Sequence, residues 1–352
     1  MPSDAPSDIH FEKRGRAGVI TLDRQGALNA VTDQMLRGID DHLTAWENDE
    51  GVERVIIKAV AGKAFSAGGD IRHLYDRGMA GDYDFDFFAR EYVLNARIAA
   101  YPKPYIALIN GIAMGGGVGV SFHGSHVIAG DRISFAMPEV GIGFFPDVGG
   151  SYLLSRLPGH MGLYLGLTGQ RIKQGDCVAT GLATHACGTT MLDQLETDLC
   201  EQADLDEVLG ALGNPSIPLD VLGKGSLIDI TFSAGSVEEI LLRLESMQHD
   251  ESSHGRWAEK TLETLLEKSP TSLEIAFRQI KAGKDLSMTE CMKMEYRILK
   301  RILPGKDFYE GIRAAIIDKD ANPTWTPPTL DAVDAKTIDQ YFAPLGDEEL
   351  PL

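Results

Sequence analysis

The first part of the chain alternates short apolar runs with longer amphipathic stretches. Runs of strand length, such as residues 19–22, 55–57 and 105–109, are bounded by glycine, asparagine or proline, which predicts buried strands. Residues 33–47 instead place their apolar side chains at helical spacing on one face. Because strands and helices of this kind repeat along the chain, we predict an α/β fold with crossover connections.

From Gly150 onward the pattern is mainly that of amphipathic helices, and we expect the strands to end near Gly181. Ser287 with Glu290, and Ser236 with its own glutamate three residues later, have the spacing of a capping box. Residues 214–218, Asn-Pro-Ser-Ile-Pro, are the best linker candidate. We therefore predict two domains, residues 1–215 and a helical region, residues 216–352.

The charge of the chain limits its partners. Aspartate and glutamate number 52 against 33 lysines and arginines, a formal net charge of −19. Such a field repels nucleic acid and anionic membrane surfaces, so we expect neither as a partner. An anionic ligand would need a local basic pocket. No apolar run approaches the roughly 18 residues of a membrane span.

The sequence shows neither a targeting motif at its first residues nor a spacing of residues typical of a metal site. Residues 1–6, Met-Pro-Ser-Asp-Ala-Pro, have neither the basic-then-apolar order of a signal peptide nor early arginines. The four cysteines form no Cys-x-x-Cys pair, and the histidines show no ligand spacing. We therefore expect reduced cysteines, no metal site and a cytoplasmic location.

Two carboxylates stand out in residues 137–150, where Glu139 and Asp147 lie among apolar residues, glycines and prolines. A carboxylate on an apolar surface is costly unless it is paired, hydrogen-bonded or protonated. We interpret the pair as groups that perform proton or acyl chemistry. Two other interpretations stay open: Glu139 could face solvent on a loop, and Asp147 could cap the helix that follows.

Two glycine-rich segments could supply main-chain donors for such chemistry. Gly69 precedes Asp70 in one of them, and Gly116 lies at the start of a short helix in the other. Two converging N–H groups in a dry site form an oxyanion hole, and the helix N-terminus would add to it. Neither the dinucleotide fingerprint nor the P-loop motif fits these glycines.

Three motifs in the order found here resemble those of the crotonase (enoyl-CoA hydratase/isomerase) superfamily. They are residues 64–70 (Ala-Phe-Ser-Ala-Gly-Gly-Asp), 109–117 (Ile-Asn-Gly-Ile-Ala-Met-Gly-Gly-Gly) and 136–139 (Ala-Met-Pro-Glu). Residues 144–150 (Phe-Phe-Pro-Asp-Val-Gly-Gly) and 307–314 are similar to the 3-hydroxyisobutyryl-CoA hydrolase branch. The resemblance covers about residues 10–327.

The resemblance implies a spiral of repeated strand–strand–helix turns, followed by a helical C-terminal region, with residues 1–215 as the acyl-CoA-binding catalytic domain. It places the two oxyanion-hole amides on Gly69 and Gly116 and the paired acids on Glu139 and Asp147. A further acid facing the substrate falls on Glu91.

The same resemblance implies how coenzyme A binds, as a part of the substrate and with no separate cofactor. Its adenine end would lie by the loop of Ala27, Leu28 and Asn29, and Ala67 belongs to the oxyanion-hole loop that meets the substrate. The candidate phosphate contacts, in this subunit or a neighbour, are Arg313 and Lys319. Crotonases often form trimers, so the resemblance is compatible with a homo-oligomer and leaves the oligomeric state undecided.

Two positions depart from the family pattern. Hydratases place a first glutamate three residues after the oxyanion-hole glycine, where this chain has Gly119, which cannot move a proton. Thioester hydrolysis by Glu139 with Asp147 therefore fits better than hydration, and the expected substrate is 3-hydroxyisobutyryl-CoA of valine degradation. Hydratase or isomerase chemistry and a non-catalytic CoA-binding protein stay as alternatives. Residues 25–26, Gln-Gly, replace the usual Pro-Lys and remove one expected cation beside the nucleotide.

Overall fold

A computed structural model describes residues 8–213 and 217–352. The boundary predicted between residues 215 and 216 falls at residues outside the described ones, as does most of the linker candidate. The first six residues, from which the cytoplasmic location was partly inferred, also lie outside them. The predicted two-domain division therefore stays a prediction.

The chain forms nine strands among the described residues. They are β1 (Ile9–Arg14), β2 (Ala17–Leu22), β3 (Arg54–Ala59), β4 (Ala64–Ser66), β5 (Tyr105–Ile109), β6 (Ile112–Met114), β7 (His126–Gly130), β8 (Ser134–Ala136) and β9 (His185–Cys187).

The same residues form sixteen α-helices and several short 3-10 turns. The helices are α1 (Asp33–Glu47), α2 (Ile71–Met79), α3 (Phe85–Ala99), α4 (Gly116–Gly119), α5 (Gly150–Ser155), α6 (Met161–Thr168), α7 (Gln174–Ala179), α8 (Leu192–Glu201), α9 (Leu205–Gly210), α10 (Gly225–Phe232), α11 (Val237–Met247), α12 (Ser253–Leu266), α13 (Pro270–Gly283), α14 (Met288–Ile302), α15 (Asp307–Ile312) and α16 (Ala335–Phe342).

Contacts divide the chain into two compact units, each assembled from separate segments. The first unit consists of residues up to Asp70, Leu94–Phe135 and Ile172–Asp220. The second unit consists of Ile71–Val93, Ala136–Arg171 and Val221–Leu352.

The first unit is built on a six-stranded sheet in the order β1-β2-β3-β5-β7-β9. Only the β1–β2 pair is antiparallel, and the four other pairs are parallel. Strand β5 and the central residues of β3 and β7 are buried and apolar, as expected where both faces of a parallel sheet are covered. A second sheet has the order β4-β6-β8. The predicted α/β class with crossover connections is confirmed.

Two strands differ from the sequence prediction. Residues 64–66 form β4 although their glycine-rich surroundings suggested a loop, and β9 adds a strand a few residues after Gly181, near which we expected the strands to end. Both are three residues long, too short to show a period-two pattern. Their assignment comes from pairing with β6 and β7, which are distant in sequence.

The second unit is predominantly helical. Helix α13 packs against α5, α6 and α16, and Gly283 near its end approaches α5 so closely that a β-carbon there would lie 2.2 Å from the Ser151 oxygen. The predicted capping box of Ser287 and Glu290 is confirmed at the start of α14. Ser236 caps α11 as predicted, whereas the Glu239 carboxylate accepts from the Gly235 N–H instead. The helical C-terminal region is therefore as expected.

Among the described residues, every helix falls short of the length and apolar character that crossing a membrane requires.

Candidate active site

The second unit brings the three predicted acids into its interior. Glu91 lies on α3, Glu139 begins a 3-10 turn, and Asp147 lies in the loop before α5. Their exposed fractions are 2%, 7% and 5%. The alternative of a solvent-facing Glu139 is therefore excluded, and Glu91 is not on a polar helix face.

The main chain around Glu139 is fixed by its own turn. The Glu139 carbonyl accepts from the N–H groups of Gly143 and Phe144. Gly143 has φ +69°, and a β-carbon on it would lie 2.2 Å from the Asp307 carbonyl oxygen. Only glycine satisfies both conditions, so this residue sets the direction of the turn that carries Glu139.

Asp147 lies in a segment with unusual backbone angles. Val148 and Gly149 both have positive φ, +49° and +85°, and such a conformation is rare for a β-branched residue. The Gln279 amide donates to the carbonyl of Pro146 on the other side. At the start of α5 the N–H groups of Gly149 and Ser151 donate to the Glu295 carboxylate, and the Gly150 N–H donates to the Asp147 main-chain oxygen. The Asp147 carboxylate is thus free of the capping role that the sequence left open.

The Asp147 carboxylate has a partner that the sequence analysis missed. The Tyr92 hydroxyl donates to Asp147 Oδ2 at 2.9 Å, and Tyr92 is completely buried. Tyr92 directly follows Glu91 on α3, so one turn of this helix places a carboxyl group and a hydroxyl group inside the second unit. In the sequence Tyr92 counted only as an apolar helix position, because its partner is 55 residues away.

Two carboxylate oxygens of this acid cluster (Glu91, Glu139 and Asp147) lack a partner. Within the described part of the chain, Glu91 Oε1 and Glu139 Oε2 are buried and make no hydrogen bond. A buried acceptor without a donor costs roughly 1–3 kcal/mol. Those residues also include no group of three His, Cys, Asp or Glu side chains that could hold a metal ion. The two unpaired oxygens are therefore open to a donor that the described residues do not supply.

Burial changes the protonation of all three acids. Desolvation, followed by repulsion from Asp147, raises the pKa of Glu91 and of Glu139 well above the usual value. Desolvation also raises the pKa of Asp147 to about 7, against the opposing effect of the Tyr92 hydrogen bond. Groups that titrate near neutral pH are suited to proton transfer.

Glu295 on α14 is a fourth buried acid that the sequence analysis did not identify. Its two oxygens accept from the N–H groups of Gly149 and Ser151, each at 2.8 Å. Desolvation raises its pKa to about 8, although these N–H bonds act in the opposite direction. Glu295 therefore holds the segment that follows Asp147. Only its place on an otherwise apolar helix face could have revealed it.

The predicted oxyanion-hole glycines lie in the first unit, on two adjacent loops. A β-carbon on Gly68 would lie 3.7 Å from the Met114 oxygen, and one on Gly117 would lie 2.5 Å from the Ser66 oxygen. Over the described ranges, 8–213 and 217–352, the N–H groups of Gly69 and Gly116 meet no protein acceptor. The two donors are thus available on neighbouring loops, and their role stays a prediction.

Hydrogen bonds hold the predicted nucleotide loop, residues 27–29. Leu28 and Asn29 have positive φ, +52° and +55°. The buried Asn29 side chain accepts from the Arg24 N–H at 2.7 Å and donates to the Ala64 oxygen at 3.1 Å. The Ala67 N–H donates to the Leu28 oxygen at 3.0 Å, which joins this loop to the oxyanion-hole loop. Asn29 therefore holds the loop, while Leu28 is 40% exposed.

A cavity of about 620 Å³ opens beside this loop in the first unit. Lys63 and Arg132 line it together with Leu28 and Asn29. Neither cation was singled out in the sequence, because they come from separate loops 69 residues apart. They supply the local positive charge that the acidic chain requires for an anionic ligand.

The first candidate phosphate contact, Arg313, begins a π-helical turn, and the second, Lys319, lies two residues after that turn ends at Ile317. Arg313 binds the carboxylates of Glu310, Asp318 and Asp320 at 2.7–2.9 Å, and these bonds raise its pKa further. Lys319 is exposed and has φ +59°. Arg313 thus has a structural role of its own. Its predicted contact with phosphate, and that of Lys319, stay predictions.

The family model described as enoyl-CoA hydratase/isomerase matches residues 17–342. The chain belongs to the enoyl-CoA hydratase/isomerase family. The resemblance drawn from the three glycine- and acid-containing motifs is confirmed.

Curated relatives extend over the whole chain. The 3-hydroxyisobutyryl-CoA hydrolase, mitochondrial, of Danio rerio is 46% identical and aligns over 100% of this chain and 94% of its own length. The protein of that name from Xenopus tropicalis is 48% identical, with 97% and 90% covered. The resemblance to the hydrolase branch is therefore confirmed as well.

The expected cytoplasmic location is corrected by the same comparison, since these relatives are named as mitochondrial. The expectation rested partly on four cysteines, all free and buried here. Free cysteines distinguish a reducing compartment from an oxidising one, but not one reducing compartment from another.

A solved structure of the same architecture carries a different functional name. The enoyl-CoA hydratase from Rhodobacter sphaeroides has a TM-score of 0.89 and is 40% identical, with 98% of this chain and 100% of that chain covered. The family and the fold are thus shared by proteins with hydrolase and hydratase names. The choice between these activities has to come from the residues of the site.

Proposed function

We propose that this chain hydrolyses a short 3-hydroxyacyl-CoA thioester, with 3-hydroxyisobutyryl-CoA as the substrate and 3-hydroxyisobutyrate and CoA as the products, a step of valine degradation. The observation that carries the proposal is the absence of an acid at Gly119. A β-carbon at this position would lie 2.8 Å from the Asn95 side chain, so the packing also leaves no room for one. Hydration with two glutamates is therefore disfavoured, and the hydrolase names of the relatives support the same activity.

The first step is activation of the thioester carbonyl. In our proposal the N–H groups of Gly69 and Gly116 donate to its oxygen and stabilise the negative charge of the tetrahedral intermediate. Each such donor contributes about 10²- to 10³-fold in known cases. Ala67, next to these glycines, would line the same part of the substrate.

Glu139 then delivers the oxygen nucleophile by one of two routes. It attacks the carbonyl carbon itself, expels the CoA thiolate and forms an anhydride that water opens. Alternatively, it takes a proton from a water molecule that attacks the same carbon. In both routes the carbon–sulfur bond breaks and one water molecule is consumed.

Asp147 and Glu91 complete the proposed chemistry. Asp147, with a pKa raised to about 7, holds a proton near neutral pH that it can give to the leaving thiolate. Glu91, whose pKa burial also raises, faces the acyl group as a further acid. The nucleotide end of CoA binds at the loop of residues 27–29, where Lys63 and Arg132 meet its phosphates.

Hydration or isomerisation is the second candidate, because the similar hydratase structure shares 40% of its residues. A thiol reagent separates the two with wild-type protein. We expect free thiol from 3-hydroxyisobutyryl-CoA and no loss of the enoyl absorbance of crotonyl-CoA. Loss of the enoyl absorbance without release of free thiol would establish the second candidate. No change in either assay, with CoA binding retained, would indicate a non-catalytic protein.

The role of the Gly116 amide has its own test with a matched control. Gly116→Pro removes the N–H at the first position of α4, where proline is tolerated by the helix. We expect thiol release to fall at least 100-fold, whereas Gly116→Ala keeps the N–H and should retain much more activity. Equal activity of the two variants would refute the donor role.

A further inference from the structure

The side chain of Asn95 is the most deeply buried polar group of the first unit without a partner. It is 0% exposed, and within the described part of the chain neither Oδ1 nor Nδ2 makes a hydrogen bond. An amide buried in this way costs several kcal/mol relative to water. A folded chain rarely retains such a group unless something else binds it.

A second asparagine of the same unit shows what a structural amide looks like. Asn29 is equally buried, at 1% exposure, yet both of its amide atoms are bonded to main-chain groups of neighbouring segments. Asn95 has the same chemistry and the same burial but neither bond. Its amide is therefore not used to hold the fold together.

The position of Asn95 indicates what it could bind. Its Oδ1 and Nδ2 both lie 2.8 Å from where a β-carbon of Gly119 would be, so the amide packs against the helix that begins at Gly116. Asn95 is also one helical turn after Glu91 on α3, and residues four apart share a helix face. It thus lies beside the segment whose N–H is proposed to bind the acyl oxygen.

We propose that Asn95 binds the 3-hydroxyl group of the acyl chain and makes the enzyme specific for hydroxyacyl thioesters. An amide both donates and accepts, and so does a hydroxyl, so one hydroxyl can satisfy both functions of Asn95. The small Gly119 leaves the space that this amide occupies. The inference rests on the proposed hydrolase function and adds the group by which the substrate is selected.

The proposal can be tested by comparing the substrate with an analogue that lacks the 3-hydroxyl group. Isobutyryl-CoA differs from 3-hydroxyisobutyryl-CoA only by this group and would leave the Asn95 amide unpaired. Sites built to bond a hydroxyl discriminate strongly against analogues that lack it. We therefore expect wild-type kcat/KM to favour the hydroxy substrate by at least about 100-fold.

The test compares both substrates on wild type, Asn95→Ala and a control, Ser272→Ala. The control removes a different buried and unpaired polar group, a hydroxyl in the second unit. For Asn95→Ala we expect kcat/KM to fall about 30- to 100-fold on 3-hydroxyisobutyryl-CoA and less than about 3-fold on isobutyryl-CoA. The control should keep the wild-type ratio. An equal loss on both substrates, or no loss, would overturn the proposal and leave Asn95 bound to an ordered water.

Two further measurements distinguish the proposed role of Asn95 from an effect on folding or on turnover. Thermal unfolding shows whether Asn95→Ala is folded, and Asn95→Ser, which leaves a smaller cavity, replaces it if not. Calorimetric binding of both thioesters to Glu139→Gln, with and without Asn95→Ala, gives the same ratio without turnover. Wild type that releases no thiol refutes the hydrolase function, whereas an unchanged binding ratio in the double variant refutes the role of Asn95.

Discussion

Glu139 and Glu295 are two glutamates buried in the same unit, and their surroundings are opposite. Glu295 is 0% exposed, and each of its oxygens accepts a main-chain N–H bond at 2.8 Å. Glu139 is 7% exposed, and its Oε2 has no partner among the described residues. The fold therefore supplies a donor to each oxygen of Glu295, whereas one oxygen of Glu139 is left without a donor from the described residues.

This difference shows that burial by itself does not identify a catalytic acid. Desolvation raises the pKa of both glutamates, that of Glu295 to about 8. What separates them is whether their lone pairs are already bonded. We infer that the fully bonded Glu295 stabilises the loop beside Asp147, and that the incompletely bonded Glu139 serves the reaction.

The largest expected effect is on turnover in Glu139→Gln. The amide can neither attack the thioester nor accept a proton from water, so kcat should fall at least about 10³-fold. The free energy of unfolding should stay the same or increase, since a costly buried carboxylic acid is removed. Thiol release and urea unfolding measure the two quantities. Activity within 10-fold of wild type would contradict the assignment.

The second effect concerns stability in Glu295→Gln. One of the N–H groups of Gly149 and Ser151 would then face the amide nitrogen in place of an acceptor. We expect the free energy of unfolding to fall by about 1–3 kcal/mol, the cost of leaving a buried N–H donor without an acceptor. Urea unfolding measures the loss. A variant as stable as wild type would show that these bonds do not hold the loop.

A third effect is the pH dependence of stability, tested with Asp147→Asn. The pKa of Asp147 is raised from 3.8 to about 7 on folding, so the folded state binds more protons than the unfolded state between these values. The contribution of Asp147 to stability therefore falls as pH rises from about 4 to 7 and is constant above that range. Removing this group should flatten the curve and stabilise the protein at pH 8 by about 2–4 kcal/mol. If urea unfolding of Asp147→Asn from pH 5 to 8 gave the same dependence of the free energy of unfolding on pH as wild type, the raised pKa of Asp147 would be contradicted.

The smallest effect is expected for Tyr92→Phe. The Tyr92 hydrogen bond lowers the pKa of Asp147, so its loss should raise that pKa by up to about one unit. The limb of the kcat/KM profile that reports Asp147 should then move to higher pH, with the maximal rate reduced less than about 10-fold. A shift to lower pH would exclude this bond as a determinant of the pKa.

Local patterns were enough to predict much of this molecule. The strands, the Ser287 capping box and the burial of Glu139 and Asp147 follow from hydrophobic periodicity and from carboxylates among apolar residues. The two glycine loops could be found because glycine is needed where main chains approach closely, as at Gly117.

The rest depends on contacts between distant segments, which one sequence does not display. Tyr92 reaches Asp147 across 55 positions, and Glu295 reaches Gly149 across 146. Lys63 and Arg132 share a cavity only because two loops meet. The roles assigned to these residues in catalysis stay proposals, and the compartment inferred from composition had to be corrected by the relatives.

The most direct test measures turnover and the free energy of unfolding together on Glu139→Gln and Glu295→Gln, under one set of conditions. The account predicts a crossed result: Glu139→Gln loses turnover and keeps its stability, while Glu295→Gln loses stability and, where folded, keeps most of its turnover. Loss of stability in Glu139→Gln with turnover retained, or an equal loss of turnover in both folded variants, would contradict it.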